Sequence, residues 1–220
     1  MIEREIWIVG GSGAIGEACG KKLARNDRNQ VYASGRDVDV CSTADIEQFL
    51  NEKAPDVLVY AAGVTHLDWS EKIDLDEMSR VYDVNVLGLI RCIQSGLYLN
   101  RVVVIGSDAA RRPMRTSIAY NASKAALEAA VKVIARERAG KGFFINIVAP
   151  GLIEDGEMTR YVYERTAELR PGLDLEYYML NQIPAGYPGQ TNEVAEVVRW
   201  LVEDAPDYLN GAVIDVNGAR

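Results

Sequence analysis

The sequence predicts a doubly wound, Rossmann-like α/β fold: a parallel sheet with helices on both faces. Short continuous apolar runs rich in Val and Ile alternate along the chain with longer helical stretches. A strand that is apolar at every position is buried on both faces, as in a parallel sheet wound with crossover helices. The 220 residues hold no internal repeat, low-complexity tract or linker, so one domain is expected over residues 1–220. A third observation trims the fold. Only Arg36 and Asp37 separate the second strand from Val38-Asp39-Val40, whereas a parallel crossover needs about a dozen residues. The crossover helix after strand two is therefore expected to be absent, and the third strand vestigial or missing.

In chain order, Glu5 to Val9 reads as a strand and Ile15 to Arg25 as the following helix. Gln30 to Gly35 is the second strand. Ser42 to Lys53 is a helix with Ser42 as its N-cap and Asp45 three residues on, the spacing of a reciprocal cap. Asp56 to Ala61 is a buried strand, followed by one long helix from about Asp74 to Ser95. Arg101 to Gly106 is strand, Ser117 to Arg138 helix and Phe143 to Ala149 strand. A Tyr-rich stretch then reads as irregular. A helix over Asn192 to Glu203 and a strand over Ala212 to Val216 close the pattern.

Composition excludes several classes of function. With 24 basic and 32 acidic residues the net charge is −8 and the pI about 4.8, which argues against nucleic-acid partners and a polybasic membrane patch. No apolar run reaches the roughly 18 residues of a membrane span. The Met-Ile-Glu-Arg-Glu-Ile start lacks the basic and apolar regions of a signal peptide, so a cytoplasmic protein is expected. Three scattered cysteines (Cys19, Cys41, Cys92) and one histidine, His66, provide neither a disulfide framework nor a metal site.

Between the first strand and first helix lies Gly10-Gly11-Ser12-Gly13-Ala14-Ile15-Gly16, containing Gly11-x-Gly13-x-x-Gly16. Glycines let the backbone turn tightly and approach a pyrophosphate at the helix N-terminus. Glycines also serve as plain turns, but this set follows a strand and opens a helix, the context of a dinucleotide site. About twenty residues on, a carboxylate ending strand two would bind the adenosine ribose. Here Tyr32-Ala33-Ser34-Gly35-Arg36 carries none before Asp37. Arg36, with Ser34, is suited to a 2′-phosphate, so NADP(H) is expected over NAD(H). The competing reading makes Arg36 a solvated loop charge.

Tyr120-Asn121-Ala122-Ser123-Lys124 sets a phenol and an ammonium four residues apart on one helix face. Ser107 stands thirteen residues before Tyr120, at the end of an apolar strand. Alone, a Tyr and Lys so spaced are ordinary core and surface residues; beside a dinucleotide turn they become candidate chemistry.

These motifs resemble those of the short-chain dehydrogenases/reductases. The family's cofactor turn is matched by Val9 to Gly16, with Val9 and Ala14 as departures. Tyr60-Ala61-Ala62-Gly63 resembles the end of the Asn-Asn-Ala-Gly motif, and Asp39-Val40 the pair bordering the adenine. Asn85, Ser107, Tyr120 and Lys124 match the catalytic tetrad, and Asn146 to Gly151 the segment leading to the nicotinamide. The resemblance implies a cofactor site built from Gly10, Ser12, Gly13, Ile15, Gly16, Ser34, Arg36, Asp39, Val40, Ala61, Ala62, Gly63, Tyr120, Lys124, Pro150, Gly151 and Ile153. It implies hydride transfer between a nicotinamide and a carbonyl or secondary alcohol, with Tyr120 as general acid/base, Lys124 on the nicotinamide ribose, Ser107 on the substrate oxygen and Asn85 on a relay water. It also implies a homodimer or homotetramer.

Asp155 stands where the family commonly has a Thr at the nicotinamide carboxamide. Arg111, Arg112 and Arg115 lie between Ser107 and Tyr120, where they suit an anionic substrate, a solvated loop or an oligomer contact. Tyr161, Tyr163, Tyr177, Tyr178 and Tyr187 crowd a substrate-lid region at about residues 152–190, with Tyr161 a candidate substrate contact. Packing or a subunit interface accounts for these tyrosines equally well. The expected function is an NADP(H)-dependent oxidoreductase. The alternatives are a cofactor-sensing or scaffold protein without turnover, and an epimerase that uses the cofactor transiently.

Overall fold

A computed structural model describes residues 3–96 and 98–220. Its strands are β1 (Arg4–Val9), β2 (Asn29–Ser34), β3 (Val57–Tyr60), β4 (Arg101–Ile105), β5 (Phe144–Pro150) and β6 (Val213–Val216). They form one sheet in the order β2-β1-β3-β4-β5-β6, and every neighbouring pair is parallel. The chain steps from β1 to β2 on one side and returns to β3 on the other. The carboxyl ends of β1 and β3 therefore flank the topological switch point, where open α/β sheets bind ligands.

Helices α1 (Ala14–Leu23), α2 (Thr43–Lys53), α3 (Leu75–Tyr82), α4 (Gly88–Ser95), α5 (Ile118–Arg138), α6 (Glu157–Leu169), α7 (Leu175–Leu180) and α8 (Thr191–Glu203) complete the fold. The strand pleat divides the core in two. Trp7, Leu58 and Tyr60 point to one face and pack with Ile46 of α2, Leu89 of α4 and Leu127 of α5. Ile6, Ile8 and Val59 point to the other and pack with Cys19 of α1 and Val194 of α8. Both faces are thus covered, as the continuous apolar strands require. None of the described helices is long and apolar enough to cross a membrane.

The short gap after β2, three residues before Val38, has the consequence expected of it. Residues 35–42 form turns and bends and lead straight into α2, and β2 is the sheet edge. The side chains of α2 close this end: the Trp7 ring stacks on Phe49 at 4.4 Å and Tyr32 meets Phe49 edge-on at 6.4 Å.

Two local expectations are corrected. The single helix over Asp74 to Ser95 is α3 and α4 joined by a π-helical turn over Asp83–Leu87, which contains Asn85. The stretch expected to be irregular holds α6 and α7. Their segments are rich in Tyr and Glu and bury little, Thr166 alone in α6 and Met179 alone in α7, so no strong apolar period marks them. A local cap defines the start of α7, where Asp174 accepts from the Tyr177 N–H at 3.0 Å.

Candidate active site

The turn after β1 is built by close backbone approach. Gly10 has φ +78°, and a Cβ there would stand 2.6 Å from the Ala62 backbone nitrogen. A Cβ on Gly16 would collide with the Gly10 carbonyl. Any larger residue at either place would push the loop away from the strand ends. The N-cap of α1, Gly13, makes no side-chain cap bond, so the first-turn N–H groups and the positive helix end are left for an anion.

On the β2 side, Ser12 lies against Gly35: a Cβ on Gly35 would be 2.7 Å from the Ser12 hydroxyl. Asp37 turns inward to accept the Gly35 N–H at 2.6 Å. Arg36 is exposed and makes no side-chain hydrogen bond or ion pair among the described residues. Ser34 corrects its expected role, because it is 1% exposed and accepts the Trp7 indole N–H at 2.8 Å. Its hydroxyl faces the packed side of the sheet rather than a nucleotide. Asp39 accepts the Cys41 N–H at 2.9 Å, and the Val40 side chain is buried where a Cβ on Gly88 would touch it.

Ser107 follows Gly106 at the end of β4 and receives the Ala109 N–H at 3.2 Å. Tyr120 and Lys124 are one turn apart on α5, with the Lys124 ammonium 5.6 Å from the Tyr120 ring centre. Lys124 is 3% exposed and donates to the Ile105 carbonyl at 2.9 Å. Burial pushes its pKa down to about 8. Burial pushes the Tyr120 phenol up to about 12, an effect that the neighbouring Ser107 hydroxyl opposes. Asn85, held in the π turn, accepts the Val64 N–H at 2.8 Å and donates to the Val64 carbonyl at 3.0 Å and to the Ser123 hydroxyl at 2.9 Å. It thereby ties the strand-end loop carrying Gly63 to the helix carrying Tyr120. A π turn in this position fits the tendency of such bulges to occur at functional sites.

A cleft of about 270 Å³ joins these parts, its wall including Gly13, Ile15, Gly16, Ala61, Gly63, Ser107, Tyr120, Lys124, Pro150, Gly151 and Ile153. Gly10, Ser12, Ser34, Arg36, Asp39, Val40, Ala62 and Asn85 stand outside that wall. Asp108, Met114, Met158, Val162, Met179 and Arg220 line the cleft without having been singled out in the sequence. Asp108 adjoins Ser107, and Met158, Val162 and Met179 fall within the lid region expected over about residues 152–190; no signal marked Met114 or Arg220.

Arg111 is corrected as a substrate residue. Both its terminal nitrogens bind the Asp215 carboxylate, and its Nε donates to Glu128 at 3.2 Å, so it clamps β6 to α5. Arg112 is exposed outside the cleft, and Arg115 borders a separate groove with Trp69 and Ile118. Tyr161 is half-buried on α6 and is not in the cleft wall. Asp155 holds α8 by accepting the Thr191 N–H at 3.2 Å and hydroxyl at 2.7 Å. Thr159 donates to the Ile153 carbonyl at 2.6 Å. His66 sits 3.8 Å from Glu77, away from the cleft.

A family model described as enoyl-(acyl carrier protein) reductase matches residues 12–218. The 3-oxoacyl-[acyl-carrier-protein] reductase FabG of Salmonella typhimurium is 30% identical over 227 aligned positions, covering 97% of this chain and 89% of that protein. A short chain dehydrogenase family protein from Francisella tularensis superposes with a TM-score of 0.86 at 25% identity, covering 98% of this chain and 97% of that one. An actinorhodin polyketide ketoreductase variant with NADPH has the same fold, with a TM-score of 0.89 at 22% identity over 99% and 98% of the two chains.

Proposed function

The chain belongs to the short-chain dehydrogenase/reductase family of oxidoreductases, and from that premise we propose that it is an NADP(H)-dependent enzyme interconverting a carbonyl and a secondary alcohol, with Tyr120 as general acid/base. The observation that carries this reading is the sharing of one cleft by Ser107, Tyr120, Lys124 and the helix-opening turn Gly13 to Gly16. The uncapped first turn of α1 and the close-packed glycines suit a pyrophosphate. Arg36 beside Ser12 and Gly35 suits a 2′-phosphate, which a guanidinium pairs with bidentately. When bound, the nicotinamide supplies the hydride in reduction and accepts it in oxidation. Pro150, Gly151 and Ile153 would hold its ring end and Lys124 its ribose.

The chain's own part is proton and position. With its pKa held up to about 12, Tyr120 keeps its proton at neutral pH and serves as the acid for carbonyl reduction. Ser107 would orient the carbonyl oxygen toward that phenol. For oxidation the phenol must release its proton, and moving it from about 12 to 7 needs about 7 kcal/mol of charge stabilisation. The Lys124 ammonium beside the ring contributes to that. Asn85 keeps the Gly63 loop and α5 in register. The two helices over residues 152–190 set Met158, Val162 and Met179 in the cleft wall, the part suited to the substrate body. The test is consumption of NADPH and of NADH with a carbonyl panel. NADPH-linked turnover supports the reading, whereas cofactor binding without net consumption for any carbonyl overturns it.

A further inference from the structure

The cleft wall is apolar over much of its substrate end, with Met114, Met158, Val162 and Met179, yet it contains one charged pair. Asp108 is 4% exposed and Arg220 8%. The Asp108 carboxylate makes no side-chain hydrogen bond among the described residues, and its Oδ2 is fully buried. The Arg220 Nη1 lies 3.7 Å from that oxygen, an ion pair too long for a hydrogen bond. The other terminal nitrogen of Arg220 donates to Gln182 at 3.1 Å. The backbone is spent on bringing this arginine in: Gly218 and Ala219 have φ +64° and +65° in succession, and Ala rarely adopts such angles. Asn217 then holds the Arg220 carbonyl at 3.0 Å.

We propose that Asp108 and Arg220 form a specificity pair that recognises a hydroxyl group on an otherwise apolar carbonyl substrate. This rests on the carbonyl-reductase reading above. A buried acceptor and a guanidinium with spare donors stand side by side, one residue along the chain from Ser107. A hydroxyl satisfies both, because it donates to the carboxylate and accepts from the arginine. A carboxylate or phosphate offers acceptors only and meets Asp108 with like charge. An ammonium offers donors only and meets Arg220. A plain alkyl ketone leaves the Asp108 carboxylate with the long ion pair to Arg220 and no side-chain hydrogen bond among the described residues, and a site built to bond a hydroxyl rejects analogues lacking it. Burial holds the Asp108 carboxyl above the ordinary carboxylate pKa despite the lowering effect of Arg220. The Met-lined remainder of the wall adapts readily to an alkyl or ring body.

The experiment compares kcat/KM for 2-heptanone, its 1-, 3- and 4-hydroxy derivatives and 2-oxoheptanoate, in wild type and in Asp108→Asn and Arg220→Gln. At least one hydroxyketone is expected to exceed 2-heptanone by about a hundredfold or more, and each variant to cut that ratio by about tenfold or more. A merely structural pair would slow all substrates alike and leave the ratio unmoved, which overturns the assignment. Equal use of 2-heptanone, or a preference for the oxo acid that Arg220→Gln abolishes, also overturns it. Should either variant fail to fold, Asp108→Ser or Arg220→Met takes its place and the same ratio is read. If no substrate of the panel or of a wider carbonyl set consumes either cofactor, the oxidoreductase reading itself fails and this inference falls with it.

Discussion

Lys124 on α5 donates to the carbonyl of Ile105, the last residue of β4, at 2.9 Å, so a buried ammonium joins the strand that ends beside Ser107 to the helix that carries Tyr120. Its pKa falls from 10.5 to about 8 because burial disfavours the charged form. The folded state therefore bears a desolvation cost that is full below about pH 8 and fades as pH rises toward the unfolded value. That difference amounts to about 3 kcal/mol, against about 1 kcal/mol for the lost hydrogen bond when Met replaces Lys. Lys124→Met is expected to raise Tm by several degrees at pH 7, with the gain shrinking between pH 8 and 10.5, and to abolish turnover. Calorimetry across that pH range checks it; a Tm lowered at pH 7 and insensitive to pH counts against the buried-charge account.

Much of this arrangement is legible in the residues because it depends on local pattern. Continuous apolar runs fix the strands, and the three residues between β2 and Val38 leave no room for a crossover helix. Tyr120 and Lys124 share a face because helical geometry puts residues four apart together. What escapes sequence reasoning depends on through-space partners. Ser34 suits a phosphate by its place in the chain, but its pleat parity sets it opposite the Trp7 indole. Arg111 is one of three similar loop arginines, and only the fold brings Asp215 and Glu128 to it. Arg220 reaches the cleft through two left-handed residues, a path that no periodicity encodes.

Removing the Tyr120 hydroxyl isolates proton transfer from cofactor binding. Tyr120 is half-buried in the cleft wall with Ser107, while the turn Gly13 to Gly16 lies on another element of that wall. Tyr120→Phe is expected to lower kcat by about a hundredfold to ten-thousandfold, the span of general acid catalysis. The NADPH Kd should stay within about twofold of wild type. Stopped-flow turnover and fluorescence titration test the two halves, and near-normal kcat would remove Tyr120 from its role.

On the proposed reading, the cofactor preference turns on Arg36. It is exposed, next to Ser12 and Gly35, while the nearby Asp37 carboxylate is occupied by the Gly35 N–H. A charge-assisted pair with a 2′-phosphate contributes about 1–2 kcal/mol in so exposed a position. Arg36→Ala is expected to weaken NADPH about tenfold and leave NADH nearly unchanged. Calorimetric titration of both cofactors decides it, since equal weakening of the two would assign Arg36 to the loop fold instead.

Asp155 occupies a place that the family resemblance gives to a carboxamide contact, yet both its oxygens are engaged by the first residue of α8. Thr191 donates from its backbone at 3.2 Å and from its hydroxyl at 2.7 Å, and Gln190 with Glu193 adds a capping box to the same turn. A carboxylate there also meets the positive end of the helix. α8 in turn supplies Val194 and Val198 to the core beneath β4 and β5, so its start governs packing more than chemistry. Asp155→Ala is expected to cost about 1 kcal/mol, or a Tm lower by about 2–4 °C, with Asp155→Asn losing less because it retains an acceptor oxygen. The nicotinamide cofactor Kd should change by less than about threefold in either variant. Tm and Kd measured on both proteins separate the roles, because a large loss of cofactor affinity with an unchanged Tm would return Asp155 to the carboxamide.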